Sequence, residues 1–184
     1  MTFSGAVLAG GRSARFGADK ARFIWRGKPL MQHVLESLEE ADERFIVANR
    51  PYPEFGLPVY PDVIPGGDSL SGLHAALLYA RSPWVAVAAC DLPRLDARFW
   101  RRLLEARGQG LAVVALGPSG YPEPLAALYS KAVLPIVTRH LQQGELRVGA
   151  VLEAARAVRV PWEALAGDFD PDLFANVNTP SDLP

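Results

Sequence analysis

The sequence predicts a three-layer α/β/α sandwich built on a mostly parallel sheet. Three observations carry this reading. Apolar runs of strand length alternate with segments of helical periodicity over the first 116 residues. The run Trp84–Ala89 is continuously apolar, as in a central strand covered on both faces. Finally, the early strands each give way to Gly, Asn or Asp, at the carboxyl edge where open α/β sheets hold ligands.

The elements follow in order. Ala6–Ala9 reads as a short buried strand that breaks into Gly10 and Gly11. Pro29 introduces a helix in which Met31, Val34, Leu35 and Leu38 recur at i, i+3, i+4 and i+7, with Glu36, Glu39 and Glu40 turned outward. Arg44–Ala48 reads as a strand ending at Asn49, and Val59-Tyr60 as a brief strand delivering Asp62. The loop at 65–72 runs into a helix spaced by Leu70, Leu73, Leu77 and Ala80, with Ser69 as its expected N-cap. After Trp84–Ala89 come Cys90 and Asp91, and then a helix capped by Asp96 that carries Phe99, Trp100, Leu103 and Leu104 and is expected to stop at Gly108. Leu111–Leu116 and Pro124–Tyr129 read as strands around a turn-rich loop, Gly117–Glu123. A helix over Leu134–Gln143 tolerates Pro135 only in its first turn. Arg147–Arg156 reads as a short helix and Val158–Val160 as a strand. Thr179, Pro180 and Asp182 form a helix-start signature.

The 184 residues suit one domain spanning 1–184, large enough to bury its own core. Cys90 is the only cysteine, so a disulfide framework or a cysteine zinc site within one chain is ruled out. No signal segment or membrane-length apolar stretch occurs, so a cytoplasmic protein away from membranes is expected. A net charge of −1 argues against nucleic acid as a partner. That charge is unevenly spread: residues 12–28 hold six basic side chains against Asp19 alone. Such a segment can steer a small polyanion, or simply be a solvated basic face.

The stretch 8–20 is the focus of the chain. Glycines at 10, 11 and 17 let backbone N–H groups approach an anion, and Arg12, Arg15 and Lys20 add positive charge. It is neither a Walker A loop nor a G-x-G-x-x-G fingerprint, which also removes a nicotinamide-dependent dehydrogenase. On residue types alone, a phosphate loop and a glycine-rich surface turn both stay open. Gly67-Asp-Ser-Leu-Ser71 fails the nucleophile-elbow pattern at its last position. The glycine loop, Asn49, Asp62 and Asp91 all follow strands and should share one rim. There Asp91 suits Mg²⁺, which takes few carboxylates plus substrate oxygens, although an isolated strand-end Asp also caps turns. Lys20 suits a point charge on phosphates. Asp62 suits a base edge or ribose hydroxyl, or the closing of a turn. Cys90 reads as a small core residue, and His33, His74 and His140 receive no role.

Leu8-Ala-Gly-Gly-x3-Arg15-Phe-Gly-x-Asp-Lys20 resembles the opening signature of the nucleotidyltransferase superfamily. The further set Gly27-Lys-Pro-Leu30, Ala48-Asn49-Arg50, Asp62 before Ser69-Leu-Ser-Gly-Leu73, Cys90-Asp-Leu-Pro93, Pro124–Tyr129 and Phe174-x-Asn-Val-Asn-Thr-Pro is similar to the molybdenum cofactor guanylyltransferases of MobA type. The resemblance runs in order from residue 4 to 183 and implies a Rossmann-like sheet of the nucleotide-diphospho-sugar transferase type. It further implies GTP as donor, molybdopterin (with or without molybdenum) as acceptor, and Mg²⁺ as cofactor. By motif, Leu8, Ala9, Gly10, Gly11, Lys20, Asn49, Asp62 and Asp91 would meet GTP. Arg15, Lys20 and Asp91 would be catalytic, and Asp91 would also hold the metal. Asn176 and Asn178 would support the acceptor or the metal. A monomer is expected, with molybdenum-insertion and molybdoenzyme delivery proteins as partners. A cytidylyltransferase for the same pterin and a sugar-phosphate nucleotidyltransferase are the nearest alternatives, and a non-catalytic nucleotide-binding module is the more distant one. Three positions depart from the family pattern: Phe16 where methionine is frequent, Ser69 where a proline is usual, and Glu123 where a histidine is common.

Overall fold

A computed structural model of the chain describes residues 2–10 and 19–177. Its main sheet has seven strands, β1 (Ser4–Leu8), β4 (Glu43–Val47), β5 (Val59–Tyr60), β6 (Trp84–Ala89), β7 (Ala112–Leu116), β8 (Pro122–Ser130) and β9 (Val158–Val160), in the order β5-β4-β1-β6-β8-β7-β9. A two-stranded hairpin, β2 (Ile24–Trp25) and β3 (Lys28–Pro29), stands apart. In the main sheet β8 alone runs antiparallel to its neighbours.

Alternation along each strand divides the core into two layers. Val7 of β1 joins a cluster with Met31, Val34 and Leu35 of α1 (Leu30–Ser37) and Phe99, Trp100 and Leu103 of α3 (Ala97–Glu105). Ala6 and Leu8 face the other way, onto Leu70, Leu73 and Leu77 of α2 (Ser69–Tyr79), Val137 of α4 (Leu134–Gln143), and Val151 of α5 (Val148–Ala154). Residues two apart on a strand share a face, so each strand serves both layers. The sandwich is therefore the expected one.

Several local expectations are corrected. Helix α2 begins at Ser69 itself, and Asp68 holds the cap position with φ +47°. Ser71 rather than Ser69 serves the helix start, its Oγ accepting from Gly67 N at 2.8 Å. Helix α3 ends at Glu105, short of Gly108: Ala106 N makes the last i→i−4 bond, to Arg102 O, and the Arg107 guanidinium then caps Leu104 O at 3.1 Å. An arginine supplies the donor that a left-handed glycine would otherwise provide. Pro135 does sit in the first turn of α4, and Gly144 closes that helix at φ +71°. The β2–β3 hairpin was not foreseen. Its turn is Arg26-Gly27, with φ +47° and +80°, the double positive φ that matches the twist of a two-residue hairpin. The helix start expected at Thr179 lies outside the described residues.

The topology fixes where a ligand can sit. From β1 the chain moves outward to β4 and β5, then returns to β6 on the other flank of β1. Helix α1 covers one face after β1, and α2 covers the opposite face before β6. A crevice opens at such a switch point, beyond the carboxyl ends of the two strands. Those ends are Leu8–Gly10 and Ala89–Asp91.

Candidate nucleotide and metal site

Four adjacent strands deliver the site. Asp62 follows β5, Asn49 follows β4, Leu8–Gly10 end β1, and Asp91 follows β6. At about 4.8 Å between neighbours, these groups span roughly 14 Å along one rim. Backbone bonds bind the rim together. Ala9 N donates to Val47 O at 2.9 Å, and Cys90 N donates to Leu8 O at 3.1 Å. Leu8 is also pinned from below by Gly72, where an added Cβ would stand 3.2 Å from a Leu8 methyl.

At the switch point Lys20 Nζ donates to Asp91 Oδ2 at 2.8 Å, each side chain being 18% exposed. A lysine 71 residues away in sequence thus meets the carboxylate at the end of the central strand. Asp19 holds Lys20 in place. It caps the short turn Lys20–Arg22, its Oδ1 accepting from Ala21 N at 3.2 Å and from the Tyr52 hydroxyl at 3.0 Å. Its Oδ2 accepts from Arg22 at 2.8 Å, and Arg22 in turn pairs with Glu54. Tyr52 is buried; burial first, and then its bond to the Asp19 carboxylate, hold its phenol protonated well above the ordinary range. In the sequence Asp19 stands only as a charge and as a member of the opening signature, with no cap assigned to it. Its signal was an Asp immediately before a short helical turn, the ordinary N-cap pattern.

At the other end of the rim, Asn49 and Asp62 form a reciprocal pair. Asn49 Nδ2 donates to Asp62 Oδ2 at 3.0 Å, and Asp62 N donates to Asn49 Oδ1 at 2.9 Å. The amide fixes both the backbone and the carboxylate of Asp62, a rigid acceptor suited to N–H or O–H donors of a ligand. Below it lies His74 on α2, 5% exposed, whose Nδ1 has no hydrogen-bond partner. Burial lowers its pKa against the opposing pull of Asp62, so the imidazole is neutral. Sequence reasoning gave His74 no role because it looked only for metal-ligand spacing.

The C-terminal tail closes the site. Val177 N donates to Asp91 O at 3.1 Å, while Arg94 pairs with Asp172 at 2.9 Å. Asn176, one residue before that anchor, is exposed at the rim. Cys90 sits behind Asp91, half-buried against the core; burial, and then the neighbouring carboxylate, push its thiol up to about 12, which disfavours a thiolate nucleophile. Gly11, Arg15 and Asn178, the remaining expected site residues, lie outside the described residues. Among the described residues no cluster of three metal-ligating side chains occurs, and no helix is long and apolar enough to cross a membrane. A separate cavity of about 550 Å³ lies beside the tail, lined by Trp25, Arg26, Arg94, Arg98 and Asp172 among others. Two of its arginines are engaged at home, Arg94 with Asp172 and Arg98 with Asp96 at 2.6 Å.

Comparison with known proteins agrees with this geometry. Residues 5–159 match the model of the MobA-like NTP transferase domain. A probable molybdenum cofactor guanylyltransferase of Deinococcus radiodurans is 40% identical, the alignment covering 100% of this chain and 93% of that protein. The molybdenum cofactor guanylyltransferase of Yersinia pseudotuberculosis is 36% identical over 97% of this chain and 92% of its own length. Among solved structures, the molybdopterin-guanine dinucleotide biosynthesis protein A of Archaeoglobus fulgidus superposes with a TM-score of 0.82 at 28% identity, covering 97% of this chain and 94% of that one. With its motifs in order, its strand ends on one rim and its full-length relatives, the chain belongs to the MobA-like NTP transferase family.

Proposed function

We propose that the chain transfers GMP from GTP to molybdopterin, in its free or molybdenum-bound form. A phosphate oxygen of the pterin attacks the α-phosphorus of GTP, the bond to the β-phosphate breaks, and pyrophosphate leaves. The product is a molybdopterin guanine dinucleotide. The observation that carries this reading is the Lys20–Asp91 pair at the switch point, flanked by the β1 backbone and by the Asn49–Asp62 pair on the same rim.

The resting ion pair suits such a reaction. With a metal-bound triphosphate in place, Lys20 would exchange Asp91 for phosphate and Asp91 would exchange Lys20 for the cation, so that neither charge would be stranded. A single carboxylate beside phosphates fits Mg²⁺, which takes one or two carboxylates and draws its other ligands from substrate oxygens and water. When bound, the ion would neutralise charge on the phosphates. Lys20, with Arg15 of the same sequence motif, would steady the departing pyrophosphate charge. Backbone N–H groups of Leu8–Gly11 would approach the nucleotide, as glycines permit. Asn49 and Asp62 would bind base or ribose. Asn176 and Asn178 would support the acceptor beside Asp91. Preorganised charge and position supply the catalysis, since a phosphate nucleophile needs no activation by a base at neutral pH.

In this reading the protein works as a monomer in the cytoplasm and passes its product to delivery proteins. The test is pyrophosphate release with molybdopterin and Mg²⁺ when GTP, CTP, ATP and UTP are offered in turn. Release with GTP at a kcat/KM at least about tenfold above the others is expected, a margin that a few base-edge hydrogen bonds supply. Preference for CTP would overturn the guanylyl assignment, and release only with a sugar phosphate would overturn the pterin.

A further inference from the structure

We propose that Tyr121 and Glu123, on the hairpin joining β7 to β8, form the subsite for the acceptor's planar heterocycle: the Tyr121 ring stacks on it and the Glu123 carboxylate accepts its paired N–H groups. The identity of the acceptor as a pterin rests on the guanylyl-transfer reading above.

The placement comes from strand register. Strand β8 runs antiparallel to β6, and Ala88 pairs with Ala126. The first residues of β8, Pro122–Leu125, therefore continue past that pair toward the carboxyl end of β6, where Asp91 stands. Strand β8 lies on the flank of β6 away from β1, β4 and β5. Three strand spacings, about 14 Å, separate it from Asn49 after β4, and four, about 19 Å, from Asp62 after β5. The hairpin thus borders Asp91 on the side opposite the residues assigned to the nucleotide.

Glu123 itself is unusual. It is half-buried, and burial raises its pKa, yet none of the hydrogen bonds and ion pairs among the described residues engages its carboxylate. Removing a carboxylate from water without a partner is unfavourable, and a ligand that brings N–H donors relieves that cost. Its Oε1 would stand 3.2 Å from a Cβ placed on Gly117, and the Phe174 ring 3.8 Å from the same point. The carboxylate and the Phe174 ring therefore border the same space above Gly117, and from Phe174 the tail continues through Asn176 to Val177, whose N–H is bonded to Asp91 O.

Two residues earlier is Tyr121, 75% exposed and in contact with no other ring among the described residues. The turn beneath it is fixed, with Gly120 N bonded to Gly117 O and Gly117 N to Tyr121 O, both at 2.8 Å. In extended chain, residues two apart fall on one side. An open aromatic face and an acceptor-only carboxylate side by side suit a flat ring with two adjacent N–H donors. The amino-pyrimidinone edge of a pterin has that shape and engages a carboxylate through two parallel bonds, as a guanidinium does. Guanine carries the same edge, so the test must distinguish the two.

The experiment measures equilibrium binding of molybdopterin, by its own fluorescence, to the full chain and to Glu123→Gln and Tyr121→Ala, with GTP binding measured in parallel. Gln keeps the size of Glu but turns one acceptor into a donor that opposes an N–H. Molybdopterin Kd rising at least about tenfold in each variant, with GTP Kd within about twofold and the Tm of Glu123→Gln unchanged or higher, supports the subsite. Unchanged molybdopterin Kd in both variants overturns it, as does weakened GTP binding instead. The two readings fail separately. Wild-type protein that binds the pterin through these residues but transfers no GMP keeps the subsite and loses the reaction. Normal transfer with an unaltered acceptor KM in Glu123→Gln keeps the reaction and loses the subsite.

Discussion

Replacing Lys20 by methionine should damage both stability and turnover, by amounts that the geometry sets. The ammonium lies 2.8 Å from Asp91 Oδ2, with both side chains 18% exposed. Fully exposed pairs contribute about 0.2–1 kcal/mol, and stranding one partner of a buried pair costs about 3–5. At this intermediate burial Lys20→Met should cost about 1–2 kcal/mol. For a chain of this length that is a fall in Tm of roughly 3–6 °C. Turnover should fall further, because a preorganised charge on the departing phosphates is worth about 10²–10³ in rate. The assay pairs thermal unfolding with kcat/KM for pyrophosphate release. Lys20→Arg is the control, restoring the ion pair and the Tm but only part of the rate, since a guanidinium is not a compact point charge. A lowered Tm with kcat/KM within about threefold of wild type would leave Lys20 a purely structural residue and refute the reasoning.

Other perturbations separate the parts of the rim and the fold. Asn49→Ala removes both bonds that fix Asp62, so the KM for GTP should rise about tenfold while Tm moves little, both groups being solvent-facing; an unchanged KM would remove the pair from the nucleotide site. His74→Leu should flatten the acid side of the stability profile. The folded pKa of His74 lies below its ordinary 6.5, so the unfolded chain takes up the proton first and wild-type stability falls as pH drops through that value. Denaturant unfolding between about pH 5 and 7 should show this slope in the wild type and lose it in the variant, by at most about 1.4 kcal/mol per pH unit. Gly110→Ala would set a methyl 2.2 Å from Arg156 O, a backbone atom that cannot swing aside, and should cost about 2–3 kcal/mol in urea unfolding.

How much of this could be read from the chain divides along physical lines. The strands and the shared rim are legible because continuous apolar runs and strand-end Gly, Asn and Asp are local signals. The order β5-β4-β1-β6 placed those strand ends side by side as expected. What resisted reading was contact across sequence. Nothing local links Lys20 with Asp91, or Tyr52 with Asp19, since such pairs exist only once the sheet brings its loops together. The expected caps at Ser69 and Gly108 failed because side chains nearby, Ser71 and Arg107, satisfy the helix ends instead. The Arg26-Gly27 hairpin escaped because arginine seldom takes a positive φ. Glu123 stood out in the sequence as a departure from the family pattern. Only the register of β8 against β6 gives it a place next to Asp91.

The central claim is that this rim moves GMP onto a pterin phosphate. The most direct measurement supplies GTP labelled at its α-phosphate with molybdopterin and Mg²⁺ and follows the label, in the wild type and in Asp91→Asn. Label recovered on the pterin with wild type, and transfer reduced about 10³-fold in Asp91→Asn, is the result expected of a carboxylate that holds the metal at the reacting phosphates. Label that never leaves the nucleotide, or that moves as readily without the Asp91 charge, would contradict it.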